Sequence, residues 1–370
     1  MELLKLLNSY FNFFRFFGIC IQTPDSSNRT KILSYCSSIF GLLYSSILLF
    51  SLYVFDKPIT GAGIVNYLQG ICFFLTHITV MIETLATRKQ QLQFWNFLKK
   101  IEYLYGDEVE EVKLKYITCK RIVARKFWIL LGFTVAVETT LFAILITNRS
   151  RGNEDMSDWE TWVAYILSVL VGRIRHLSHL VFLEILKVHL EIFNNSLMEL
   201  KGKFNCLNAN SLIEELNSIK FRHTYIWELC QSINSCFQLS QLLNFFSYYL
   251  HLTSISYFVY LRIVYGKFDM ILTTIILLFP VFSHIFAITK TSDDVQMEAQ
   301  KSTHLLQNLM QNNKDSLNKF LKNCIIDLSL QMHHERISIT IGKLFVLNLA
   351  LITAIFGTIA TYFVIYIQFF

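Results

Sequence analysis

Apolar residues in this chain gather into seven long runs separated by polar, mostly basic stretches. The runs lie near Ile32–Phe55, Ile64–Thr84, Phe127–Thr147, Trp159 or Trp162 to Ile185, Leu242–Val264, Phe268–Ile288 and Leu344–Phe370. Each reaches the ~20 residues a helix needs to cross the hydrocarbon core of a bilayer. The pattern predicts an all-α membrane protein with seven transmembrane helices. The fifth and sixth runs are only a few residues apart, so they predict a tight hairpin, and Pro280 predicts a kink in the sixth.

The polar stretches have periods of their own. Leu212, Leu216, Ile219, His223, Ile226, Cys230, Ile233 and Phe237 recur at alternating spacings of four and three. That is a heptad seam leading into the fifth run, and it reads as a candidate assembly element between subunits. Val295–Met310 and Ile325–Ile341 are further candidate helices. Together they predict helical intracellular extensions of the membrane segments. Leu3 to Phe17 is apolar but interrupted by Lys5, Asn8, Asn12 and Arg15. It lacks the basic start and small-residue cleavage site of a signal peptide, and predicts an amphipathic helix lying at the inner membrane surface. No linker-like segment or internal repeat is seen, which counts against a transporter built from repeats.

Composition supports the membrane class. The chain is 53% hydrophobic and 16% charged, with three prolines in 370 residues, whereas soluble domains carry about 25% charge. The net charge of +6 does not point to nucleic acid, because the basic residues lie between apolar runs rather than on a soluble face. They are a topology signal instead. Of 33 Lys and Arg, 28 fall on the side shared by the N-terminus and the long polar stretches. Positive residues stay cytoplasmic, so the N-terminus is expected inside and the C-terminus outside.

Little in the chain suggests enzyme chemistry or a cofactor. No nucleophile elbow, phosphate loop, His-Glu-x-x-His or paired-cysteine motif occurs. His333-His334-Glu335 resembles a metal cluster, but neighbours on a helix point about 100° apart, so a structural role is expected. Arg173, Arg175, His176 and His179 predict a polar wall facing the bundle interior, with Glu138 as a partner. None of the eight cysteines falls in an outward loop, so no structural disulfide is expected. Of the Asn-x-Ser/Thr sequons, those at Asn28 and Asn194 would face the cytosol, and Asn148 is the glycosylation candidate that would face out.

The last 27 residues, Leu344 to Phe370, contain no Asp, Glu, Lys, Arg or His. Ala350, Ala354, Gly357, Thr361, Val364 and Gln368 share one small, weakly polar face. Such a face suits tight helix packing in a membrane or the wall of a water-filled path. The stretch ends in Thr361-Tyr362, five largely apolar residues, then Gln368-Phe369.

That ending resembles the signature of the insect gustatory receptors, Thr-Tyr, five residues, Gln-Phe. The motif covers nine residues, and length and segment count agree with the family. The resemblance implies a subunit of a tetrameric, ligand-gated, non-selective cation channel in the plasma membrane of chemosensory neurons. It implies homotetramers or hetero-tetramers with related receptors, permeant cations, a small-molecule tastant and membrane lipid as partners. It divides the chain into a cytoplasmic amphipathic segment (1–31), a six-helix ligand-binding bundle (32–288), a cytoplasmic anchor (289–342) and a pore-lining helix (343–370). Pore and gate residues would be Gly357, Thr361, Val364, Gln368 and Phe369: a ring of Phe closes by excluding water, and a ring of amides admits hydrated cations. The ligand would bind in the outer half of the bundle among Asn66, Tyr67, Gln69, Thr139, Trp162, Tyr165, Thr253, Tyr257, Tyr260 and Thr273. Sugar-responding members carry Glu after the Thr-Tyr pair, where this chain has Phe363. That favours a bitter or toxin receptor over a general sugar receptor, with a fructose-type or orphan receptor as alternatives. A G-protein-coupled receptor would need an Asp-Arg-Tyr-like third helix and an Asn-Pro-x-x-Tyr-like seventh, and both are missing.

The basic asymmetry makes the topology testable. An N-terminal epitope should stain only after permeabilisation and a C-terminal one in intact cells. Surface labelling of the N-terminal tag would overturn the orientation.

Overall fold

The computed structural model describes residues 2–19, 22–24, 27–55, 61–105, 109–150, 159–203, 209–266, 268, 271–312 and 319–369. These form α1 (Glu2–Phe16), α2 (Asn28–Phe55), α3 (Gly61–Ala86), α4 (Arg88–Leu104), α5 (Val109–Ser150) and α6 (Trp159–Lys203). There follow α7 (Ala209–Cys236), α8 (Gln238–Val264), α9 (Ile271–Ile276), α10 (Leu278–Asn312), α11 (Lys319–His334), the strands β1 (Thr340–Ile341) and β2 (Phe345–Val346), and α12 (Leu349–Phe369). By length and composition, five spans among the described residues could cross a membrane, four within α2, α3, α5 and α6 and a fifth running from Thr274 in α9 to Gln311 in α10. The fifth and seventh predicted runs correspond to α8, which is diluted by buried polar residues, and α12.

The centre of the structure is α6. Every residue from 171 to 186 is buried, as expected of a helix surrounded by others. At 45 residues and about 1.5 Å per residue it is far longer than a bilayer is thick. Its C-terminal half continues into a second layer with α4, α7, α11 and the ends of α5 and α10. The extensions of the apolar segments are therefore helical, as expected from their periodicity.

Four expectations need correction. First, the heptad seam on α7 is spent inside the subunit. Leu212, Leu216, Ile219, Ile226, Cys230 and Ile233 are each at most 3% exposed, covered mainly by α4, α6 and α11. Second, α1 buries its apolar face in protein rather than lipid: Phe11 meets Trp95 at 5.2 Å and Tyr10 meets Phe127 at 5.0 Å between ring centres. Third, Pro280 breaks the sixth run rather than bending one continuous helix: α9 ends at Ile276, four residues before it, and Pro280 is the third residue of α10, where it has no N–H to give. Fourth, residues 335–348 are not helical. A turn across Ile341–Leu344 puts Gly342 at φ 56° and Lys343 at φ 59°, and Leu344 N donates to the Ile341 carbonyl at 2.9 Å. Two successive positive φ values suit a tight hairpin and no helix.

That hairpin is held from two sides. On α7, the Asn234 amide donates to the Ser338 carbonyl and accepts from Thr340 N. On α10, Ser292 Oγ and Gln296 Nε2 both donate to the Leu347 carbonyl, at 2.7 and 2.9 Å. These bonds place the start of α12 at Leu349 rather than Leu344.

The corrected role of the seam changes what a mutation should do. Ile226→Asp buries a carboxylate in the α7 core and should cost about 4 kcal/mol or more of subunit stability. Ile226→Val should cost only about 0.5–1.5 kcal/mol. Thermal melts read by size-exclusion chromatography check both. A normal melt with selectively lost assembly in Ile226→Asp would restore the intersubunit role.

Candidate ligand site and pore helix

The membrane half of the bundle is built on charged pairs that α6 carries inward. Arg173 pairs with Glu138 of α5 at 2.5 Å, the partner expected from the sequence, with both side chains under 10% exposed. Arg175 pairs with Glu83 of α3 at 3.0 Å. Glu83 also accepts from the backbone N–H of Leu239 and Ser240, at 2.6 and 3.1 Å. Those are orphan donors at the start of α8, whose preceding residue Phe237 supplies no side-chain cap. Arg175 in turn donates to the carbonyl of Cys236, the last residue of α7, at 2.5 Å. Its guanidinium lies 4.1 Å over the Phe237 ring. One ion pair thus closes both ends of the break between α7 and α8.

Towards the middle of α8 is a cavity bordered by α3, α6, α8 and α10. Its polar lining includes Thr76, Ser168, Arg173, Asn244, Tyr248 and His251, with Phe73, Val169 and Val281 as apolar walls. It leaves about 10 Å³ for the centre of a water, room for about one molecule. Asn244 donates to the Gly172 carbonyl at 2.9 Å, and His77 Nδ1 shares a 3.0 Å hydrogen bond with Ser168 Oγ. Three lining residues keep buried polar atoms without a hydrogen-bond partner among the described residues: Arg173 Nε, Tyr248 Oη and His251 Nε2.

None of the residues expected at the ligand site lines this cavity among the described residues, and two of them, Gln69 and Tyr165, touch its lining. Gln69 bonds His251 Nδ1 through its amide nitrogen. Tyr165 packs on Phe73 and Phe74, and a Cβ at Gly70 would lie 2.5 Å from its hydroxyl, so only glycine fits there. Tyr67, Thr253, Tyr257 and Tyr260 are half-buried and do not line the cavity. Asn66 and Thr139 are exposed, and Thr139 returns its hydroxyl to the carbonyls of Val135 and Ala136. The side chains of Trp162, Thr273 and Asn148 lie outside the described residues. The lining residues Asn244, Ser247, Tyr248 and His251 had a legible signal: spacings of three and four make one polar stripe along an otherwise apolar helix.

The last helix shows two contrasting faces. Leu351, Ile352, Ile355 and Ile359 are turned inward, and the helix packs on α8 and α10. Ala350, Ala354, Gly357, Thr361 and Val364 are all exposed. Nothing lies within 4 Å of a Cβ placed at Gly357. Thr361 and Thr358 satisfy their hydroxyls on carbonyls of their own helix. Gln368 and Phe369 belong to α12, and their side chains lie outside the described residues.

The His333-His334-Glu335 cluster is occupied otherwise. Both histidines are exposed, while Glu335 accepts from His223 Nδ1 at 3.1 Å and from Gln331 at 2.7 Å. Burial pushes the Glu335 carboxyl up, but these bonds outweigh it and hold its pKa below the usual value.

The α7–α8 junction yields a stability prediction. Glu83→Ala leaves a fully buried guanidinium unpaired and should cost about 3–5 kcal/mol. Glu83→Gln keeps an acceptor for the α8 amides and should cost less. Thermal unfolding of the purified protein ranks the two; equal, small losses would remove the pair from its structural role.

The fold has solved counterparts. The structure of the insect olfactory receptor OR5 from Machilis hrabei in complex with eugenol superposes with a TM-score of 0.77, at 17% identity over 100% of both chains. A second structure of the insect olfactory receptor OR5 from Machilis hrabei gives 0.75 at 16% identity, covering 99% of this chain and 98% of that one. In sequence, the putative gustatory receptor 2a of Drosophila melanogaster is 23% identical, covering 82% of this chain and 78% of that protein. The family model described as 7tm chemosensory receptor matches residues 7–369, nearly the whole length. The chain belongs to the 7tm chemosensory receptor family.

Proposed function

We propose that this chain is a gustatory receptor: a subunit of a tastant-gated, non-selective cation channel in the plasma membrane of chemosensory neurons, with four subunits around a central pore. The observation that carries the reading is the exposed small face of α12. A helix in a membrane packs its small residues against something or lines water with them. Here the branched face is already used against α8 and α10, and the small face is left free. One such helix cannot enclose a path, but a cyclic ring of them can. With the N-terminus inside, Gln368 and Phe369 stand at the outer end of that path. The division into amphipathic segment, ligand-binding bundle, anchor and pore helix is kept, with α12 starting at Leu349. The ligand is a small molecule, as eugenol is for the olfactory receptor. Phe363 in place of the acidic residue of sugar-responding members supports a bitter or toxin receptor.

Whole-cell recording on cells expressing this chain tests the reading. Phe369→Ala should leak cations without ligand. Gln368→Ala should change conductance or ion preference while leaving agonist binding nearly unchanged. If resting current, conductance and selectivity all stayed as in the parent, the pore would lie elsewhere.

A further inference from the structure

The cavity of the membrane bundle carries information about the chemistry of its ligand. Three buried polar atoms of its lining have no partner among the described residues, and each can act as a donor. Gln69 offers its amide to His251 Nδ1, so the ring proton belongs on Nε2, which has no partner among the described residues. Arg173 Nε carries a proton and is likewise unpartnered, as is the Tyr248 hydroxyl. Arg173 and Tyr248 are 3% and 4% exposed, so bulk water does not satisfy these groups, and leaving a buried donor unmatched is costly. On the same wall Asn244 donates its amide to the Gly172 carbonyl, and Ser168 shares a hydrogen bond with His77.

Charge narrows the class further. The lining contains no Asp or Glu, so a cation would find three donors and no counter-ion. The one formal positive charge, on Arg173, is already matched by Glu138 at 2.5 Å, so an anion would add an unbalanced charge to a buried site. The remaining walls, Phe73, Val169 and Val281, are apolar.

We propose that this cavity binds neutral small molecules presenting acceptor oxygens, such as a lactone, ester or ketone, on an otherwise apolar body, and rejects protonated amines. The proposal rests on the reading of this bundle as the tastant site. The cavity as it stands has room for about one water, and the ligand oxygen takes that place as the surrounding helices part.

Three bicyclic compounds of one shape test it: coumarin, a neutral lactone; tetralin, a hydrocarbon; and tetrahydroisoquinoline, protonated at neutral pH. Binding is read as a rise in the melting temperature of the purified full-length protein, and current is recorded separately. Coumarin should stabilise the protein at the lowest concentration, and tetrahydroisoquinoline should not. Tyr248→Phe should weaken coumarin by about three- to tenfold, the worth of one hydrogen bond, and leave tetralin unchanged. Tyr225→Phe, in the intracellular layer, should alter neither. Equal stabilisation by the amine, an unchanged coumarin response in Tyr248→Phe, or no stabilisation by any of the three, which leaves a bound water only, would each overturn the proposal. Stabilisation by coumarin without current would overturn the channel and leave the ligand class standing.

Discussion

The pair between Glu83 and Arg175 is the constraint on which the architecture depends. A helix that stops and restarts exposes unpaired carbonyls at one end and unpaired amides at the other. Beside a bilayer there is little water to meet them. The break between α7 and α8 is such a place, and its flanking residue Phe237 has no polar side chain. Glu83 meets the amides of α8, Arg175 meets the last carbonyl of α7, and each neutralises the other. The pair therefore fixes α3, α6, α7 and α8 at one point. It makes two differently directed helices, one for the second helical layer and one for the apolar bundle, out of one nearly continuous helical stretch.

The second joint is softer. At the entry to α12, the chain leaves the second helical layer through a two-stranded hairpin. Asn234, Ser292 and Gln296 grip that hairpin with neutral hydrogen bonds. Above it, α12 touches the rest of the subunit along one branched face. The last helix is thus anchored firmly at Leu347 and lightly along its length, which suits an element that changes angle while its base stays fixed.

How much of this was legible in the sequence depends on the range of the interaction. The apolar runs, their helical extensions, the Arg173–Glu138 pair and the small face of the last helix all follow from spacing, because a helix displays its period locally. The α7 seam was legible as a helix face but not as to its partner. A heptad says that a face must be covered, and only tertiary packing decides between the same chain and another. The hairpin was missed because Leu344 to Leu347 is as apolar as a helix, while Gly342-Lys343 carries the turn in two residues. The cavity residues were missed because the ligand was sought in the outer half, whereas the polar stripe on α8 runs from Asn244 to His251, nearer the middle.

The two joints and the cavity meet on α8. This helix carries Asn244, Tyr248 and His251 to the cavity, is fixed by Glu83 at its start, and supports α12 on another side. Room for anything larger than a water has to come from separating α8 or α10 from α3 and α6. With α8 held at Leu239 and Ser240, its displacement grows with distance from that point, towards Val264. The tight contact of Gly172 with Asn244, where an added Cβ would lie 2.7 Å from Oδ1, leaves no slack near the fixed end. A ligand can bias such a tilt only by binding the parted arrangement more tightly than the closed one. The donors of Arg173, Tyr248 and His251, which have no partner among the described residues, provide that difference when a ligand oxygen meets them better than the single water for which the closed cavity has room.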